Sequence, residues 1–260
     1  MMETRSDCGE KPPETAVILA AGRGTRLGER GRHYPKGFLK FGDRPIIEES
    51  IDRLTASGIR RIIIVTGFRS EFYLQLQSRY PRLVETVQNP IFGKSGSMYS
   101  LCCAQDLIGS DFLLLESDLV FEQKALTSCL RSPHENVLLL SAISESEDAV
   151  YAVVENSRLR KITKRLFESA GSTIGEFVGI SKISYRLYKI MLDFAEGLFS
   201  KSLHVEYDAH CLASVVKGCD IYCLLDDSLV WSDIDTETQY RRVSEKIYPL
   251  IPPNPQRVEV

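Results

Sequence analysis

The chain is predicted to be an α/β protein, a mostly parallel sheet flanked by helices with a small inserted substrate lobe. Three observations predict it. Short apolar runs stop abruptly at glycine or polar residues, as strands buried on both faces do. Stretches of helical spacing separate these runs, and that alternation marks a sheet covered on two sides. The chemically unusual residues fall at the carboxyl ends of the runs, where ligands bind in open sheets of this kind.

Thr15–Ala20 is an apolar run stopped by Ala-Gly and reads as the first buried strand. Residues 45–57 carry apolar side chains at 46, 47, 51 and 54, a helical stripe closed by Gly58. Arg61–Thr66 (RIIIVT) is a second buried strand, closed by Gly67. Residues 71–79 read as an amphipathic helix, 83–88 as a third strand and 97–107 as a helix. Residues 111–116 (DFLLLE) form the fourth strand and run into Ser117 and Asp118. The second half is less periodic. Residues 137–143, 149–156, 159–164 and 177–183 read as strands, the middle two as a hairpin. Tyr185–Phe199 and 210–217 read as helices, 221–225 as a late strand, and Asp235 as the cap of a last helix. There is no internal repeat. Residues 15–250 are therefore expected to form one domain, between a disordered polar leader (1–14) and a Pro-rich tail or linker (251–260).

At 260 residues the chain can bury a sizeable core without staples. A net charge of −3 argues against nucleic-acid or membrane binding by the whole surface. No stretch approaches the roughly 20 apolar residues of a membrane helix, and the polar N-terminus lacks a secretory signal. A cytoplasmic protein is expected. Seven cysteines without a CxxC pair read as reduced thiols rather than as a disulfide framework or zinc site. The oligomeric state is open, a homodimer included.

Against this acidic balance, seven Lys or Arg residues lie between Arg23 and Arg44, offset only by Glu29 and Asp43. They follow the turn AAGRGTRLG. The dinucleotide fingerprint G-x-G-x-x-G is incomplete there, because Leu27 stands where the third glycine belongs. No acid closes the next strand at Val65-Thr66, so a nicotinamide-dependent oxidoreductase is disfavoured. Gly22 and Gly24 would instead let backbone N–H groups approach a phosphate closely. Arg26 brings a planar fork and Lys36 a point charge. Such a set suits a polyphosphate; a turn that needs glycine for steric reasons alone is the plainer alternative.

LAAGRGTRL, PKGFLKFGDRPIIEESIDRL and ASGIRRIIIVTGF together resemble the nucleotidyltransferase family, of the MobA-like and sugar-nucleotidyltransferase kind. The resemblance implies a Rossmann-like fold and the synthesis of activated sugars or alcohols from nucleoside triphosphates. It implies nucleotide contacts at Leu19, Ala20, Ala21, Gly22, Gly24 and Thr25, with Arg26 and Lys36 as catalytic residues on the phosphates. It also implies Mg²⁺ held by one Asp after the fourth strand and one near the C-terminus. LESD and SDID supply Asp118 and Asp235, with Asp233 in reserve, although a capping role would explain any one of them alone.

QNPIFGKSGSMYSL and EFVGISKIS resemble the cytidylyltransferases that activate phosphocholine and 2-aminoethylphosphonate. That likeness places Gln88, Ser95, Gly96 and Ser97 at the cytosine. SGSMYSL with LESDLVFE looks more like the phosphonate branch. The expected reaction is transfer of CMP from CTP to 2-aminoethylphosphonate, with release of pyrophosphate. Phosphocholine or a sugar 1-phosphate is the alternative acceptor, and a non-catalytic nucleotide-binding regulator the alternative of another class. An acceptor amine needs carboxylates or aromatic faces. Glu206, Tyr207 and Asp208 of HVEYDAH and Glu176 are the candidates, with Lys164 and Lys182 expected at the phosphonate oxygens.

Overall fold

The computed structural model describes residues 11–144, 149–165 and 172–253. β1 (Thr15–Ala20) lies between β2 (Arg61–Thr66) and β4 (Phe112–Glu116), and β3 (Val84–Gln88) flanks β2, all four parallel. Ile62, Ile63, Ile64 and Val65 are all fully buried, which requires helices on both faces of the sheet. Ile46–Ala56 and Ser70–Arg79 supply two of these, and Ser97–Cys103 a third. The helix expected over 97–107 stops at Cys103, and the Ala104 N–H bonds back to the Leu101 carbonyl at 3.2 Å.

Seven further strands follow. They are β5 (Leu119–Phe121), β6 (Val137–Ser141), β7 (Tyr151–Glu155), β8 (Arg158–Thr163), β9 (Thr173–Ile183), β10 (Tyr222–Leu225) and β11 (Trp231–Asp233). The large sheet has the order β3-β2-β1-β4-β9-β6-β10-β8-β7. β9 runs antiparallel between β4 and β6. It is eleven residues long, and its first half also pairs with β7, so the β7–β8 hairpin curls back onto the sheet as the inserted lobe. Asn156 and Ser157 turn that hairpin with φ of 50° and 58°, the left-handed pair that a two-residue turn requires.

β3 forms the outer edge. Its Val84 N–H donates to the Tyr80 carbonyl at 2.9 Å, and its Thr86 N–H donates to Gln77 Oε1 at 2.8 Å. β5 and β11 pair as a separate antiparallel ribbon. Both were missed in the sequence because three residues are too few to show a period. The regular helix expected over 210–217 is instead a wide helical turn, Tyr207–Leu212, followed by the short Ala213–Val215.

Leu27, Leu39, Ile46, Val120, Ile234, Val243 and Ile251 pack as a separate apolar cluster. It ties the glycine loop to the C-terminal segment. The segment expected as a tail thus begins inside the fold: Ile251 is buried and Arg53 Nη2 donates to the Pro252 carbonyl. Residues 1–10 of the expected leader and 254–260 of the tail lie outside the described residues. Six cysteines are described, and all are unbridged.

The helix Ile46–Ala56 buries Glu48 as well as its apolar stripe. Burial alone would raise the Glu48 carboxyl, but hydrogen bonds from Arg79 at 2.6 Å and Arg44 at 3.1 Å outweigh it and hold it below its ordinary 4.5. A depressed carboxylate contributes stability above its unfolded pKa, and loses it as pH falls through the folded one. Glu48→Gln is therefore expected to flatten the decline of stability below about pH 4.5, read by denaturant melts at several pH values. Parallel pH profiles for variant and wild type would remove Glu48 from that role.

Candidate active site

The carboxyl ends of β1 and β4 open into a cleft of about 390 Å³, whose lining includes Leu19, Ala21, Gly22, Lys36, Ser95, Gly96 and Asp118. A second cleft of about 190 Å³ adjoins it, with Glu176, Phe177, Asp208, Trp231, Asp233 and Asp235 in its walls. Arg26, Ser97, Glu116, Lys164 and Glu206 line both. These five residues are the partition between two ligand-sized spaces.

Of the seven basic residues between 23 and 44, only Arg26 and Lys36 line the first cleft. Arg30 pairs with Glu237, Arg32 with Glu29, and Arg44 with Glu48 and Asp52. Gly24 is left-handed at φ +60°, and a Cβ there would lie 3.1 Å from Lys36 Cγ, so this glycine makes room for the lysine stem. Gly22 has open space around it and faces the cleft. Ala20, Gly24 and Thr25 support the loop without lining it.

Lys36 Nζ donates to Asp118 Oδ2 at 2.6 Å and to Asp235 Oδ1, joining residues 199 positions apart. Burial lowers the affinity of this amine for its proton, but the two aspartates raise it by more, so Lys36 is charged. Asp235 is also met by Arg26 Nη2 at 3.1 Å. Burial would raise the Asp235 carboxyl, and Lys36 with Arg26 hold it below the ordinary carboxylate range. At Asp233 burial first, then Asp118 and Asp235, push the carboxyl up to about 7. The last helix is capped by Thr236 in a capping box with Gln239, so Asp235 is not the cap the sequence suggested.

Glu116 ends the apolar strand β4, and sequence reading gave it no role in the site. Burial drives its carboxyl well above the usual range, helped by Asp118 and Asp208, and it accepts a hydrogen bond from Tyr207 Oη at 3.1 Å. A single acid at the end of a wholly apolar buried strand was the available signal. Asn89 was missed too. It is fully buried, and its Nδ2 donates to Ser95 Oγ at 3.0 Å and Ser100 Oγ at 2.9 Å, which fixes the loop before Gly96.

Several expectations are corrected. Gln88 is exposed at the end of β3 and lines neither cleft. Tyr207 is buried with its ring against Phe177 and its hydroxyl on Glu116, so it offers no face to a ligand. Lys182 lies six residues beyond Glu176 on β9, about 20 Å at a rise of ~3.3 Å per residue. It sits at the other end of the sheet, where Nζ donates to the Ser132 carbonyl at 2.7 Å. Glu176 and Asp208 do reach the second cleft. Glu176 accepts from Ser144 Oγ at 2.9 Å, and Glu206 from the Ser97 N–H at 3.2 Å.

Among the described residues no group of three or more His, Cys, Asp or Glu is arranged to hold a metal by itself. A magnesium ion does not need one, since it is held by one or two carboxylates plus substrate oxygens. Asp118 and Asp235 fit that requirement: they are oxygen donors that already converge on one cation, Lys36 Nζ. No helix among the described residues is long and apolar enough to cross a membrane.

Residues 16–176 match the MobA-like NTP transferase domain. A 2-aminoethylphosphonate cytidylyltransferase of Lancefieldella rimae is 31% identical over 73% of this chain and 74% of its own length. A bifunctional IPC transferase and DIPP synthase of Thermococcus kodakarensis is 28% identical over 88% of this chain. The chain spans only 50% of that protein's length. Among solved structures, the inositol-1-phosphate CTP transferase from T. maritima superposes with a TM-score of 0.75 at 20% identity, over 92% of this chain and 98% of its own. That likeness establishes the Rossmann-like nucleotidyltransferase fold. With residues 16–176, more than half of the sequence, matching that domain, the chain belongs to the MobA-like NTP transferase family of nucleotidyltransferases.

Proposed function

We propose that the protein transfers CMP from CTP to 2-aminoethylphosphonate or a closely similar acidic amine, releasing pyrophosphate. The observation that carries this reading is the partition. Two ligand-sized clefts share a wall that includes the cations Arg26 and Lys164, as a transfer between two bound substrates requires. The first cleft would take the nucleotide, its phosphates at Gly22, Arg26 and Lys36. Ser95, Gly96 and Ser97 also line this cleft and suit the base.

The second cleft favours a cationic acceptor. Glu116, Glu176, Glu206, Asp208, Asp233 and Asp235 line it against two cations. Trp231 and Phe177 add aromatic surface, which attracts an ammonium group. Lys164 lies where it can meet the acceptor's phosphonate. The phosphonate oxygen is already ionised near neutral pH, so the attack on the α-phosphorus of CTP needs no general base. Catalysis then rests on orientation and on charge placed where it develops. Asp118 and Asp235 would hold Mg²⁺, which when bound neutralises phosphate charge. The Lancefieldella relative, named for this activity, supports the acceptor chosen.

Pyrophosphate release measured across CTP, UTP, GTP and dTTP, each with aminoethylphosphonate, phosphocholine, inositol 1-phosphate and glucose 1-phosphate, tests the reading. CTP with aminoethylphosphonate is expected to give the highest kcat/KM. A neutral sugar phosphate preferred over every amine would overturn the acceptor assignment. Glu176→Gln is expected to raise KM for the amine several-fold and leave KM for CTP unchanged; equal effects on both would place Glu176 outside the acceptor pocket.

A further inference from the structure

Lys36 occupies the position where a divalent cation would be expected. Its ammonium touches one oxygen of Asp118 and one of Asp235, and its side chain is only 17% exposed. The two aspartates are 11% and 15% exposed, and Arg26 adds a second cation to Asp235. In the free protein, therefore, the charge of this pair is already matched. A divalent ion brought to the same two oxygens would meet the ammonium at hydrogen-bond distance from each of them, and like charges that close repel strongly in a part-buried site. The ammonium must move first, and it needs a new anionic partner to do so. Lys36 also lines the first cleft beside Gly22, so a polyphosphate there lies within reach of a rotation of its long flexible stem.

We infer that Lys36 is a resident counter-cation that keeps Asp118 and Asp235 closed to a divalent ion until the phosphates of a nucleotide draw it away. Metal and nucleotide then enter together, each strengthening the other's binding by the same factor. The inference rests on Asp118 and Asp235 being the metal's ligands, as proposed above.

Mn²⁺ binding to the full chain, followed by electron paramagnetic resonance without nucleotide, tests it. Wild type is expected to leave Mn²⁺ free at concentrations where Lys36→Met binds it on the order of tenfold or more tightly. Lys36→Gln, which keeps a hydrogen-bond donor for the aspartates, is expected to show the same gain should the methionine variant fold poorly. Equal Mn²⁺ affinity in wild type and either folded variant would overturn the inference, as would micromolar binding by the free wild type. A separate arm examines the metal ligands themselves. Asp235→Asn should weaken binding of the Mn²⁺–CTP complex; an unchanged affinity there would defeat the ligand assignment and the gating role with it, whereas a weakened complex together with equal Mn²⁺ affinities in wild type and the Lys36 variants would defeat the gating role alone.

Discussion

Lys36→Ala is expected to lower CTP-dependent pyrophosphate release by about 10²–10³-fold, the usual consequence of deleting one preorganised charge at a reacting phosphate. The effect should fall on kcat/KM, because the ammonium is proposed to act on charge that grows in the transition state. The fold should survive. Asp235 keeps Arg26 at 3.1 Å, and Asp118 lines the cleft, where a bound metal would meet it. Circular dichroism and a thermal melt beside the rate assay separate the two effects. Activity within a few-fold of wild type would remove Lys36 from the chemistry.

Gly96→Ala is expected to cost about 2–3 kcal/mol of stability, as overpacking against rigid neighbours does. At roughly 2–4 °C per kcal/mol for a chain of this size, Tm should fall by about 4–12 °C. A Cβ at Gly96 would lie 2.4 Å from the Val205 carbonyl oxygen and 2.7 Å from the Val205 backbone nitrogen. Both are main-chain atoms, so no rotamer change relieves the clash. The two segments are tied on either side of it: the Gly96 N–H donates to the Leu203 carbonyl at 2.8 Å, and Met98 N–H to the Val205 carbonyl at 2.9 Å. Spreading them would also displace Ser97, whose Oγ accepts from the Tyr207 N–H at 3.0 Å. KM for CTP should rise with the loss of stability. An unchanged Tm would mean that residues 203–205 yield at little cost.

The glycine requirement at 96 shows where sequence reading stops. The resemblance placed Gly96 near a nucleotide, and the structure adds that a distant segment presses on it. Such a contact leaves no local trace. Arg61–Thr66 and Thr15–Ala20 were legible to the residue because a strand buried on both faces is apolar throughout and ends where burial ends. Asp118 followed an apolar strand and the family resemblance supplied Asp235, yet their convergence on Lys36 depends on folding across 199 positions. Lys182 misled for the opposite reason. It shares a strand and a local phrase with Glu176, but a long strand carries its two ends to opposite sides of the molecule. The β5–β11 ribbon that delivers Asp233 was invisible because its partners are short and far apart in the chain.

The covered margin at β3 bears on self-association. Tyr80 and Gln77 occupy its Val84 and Thr86 donors, and the opposite margin returns through β7 to β9. At Val84 and Thr86, β3 therefore offers no free donor to another strand. Stripping Gln77 to alanine would bare the Thr86 donor at that margin, where a strand of a second copy could add.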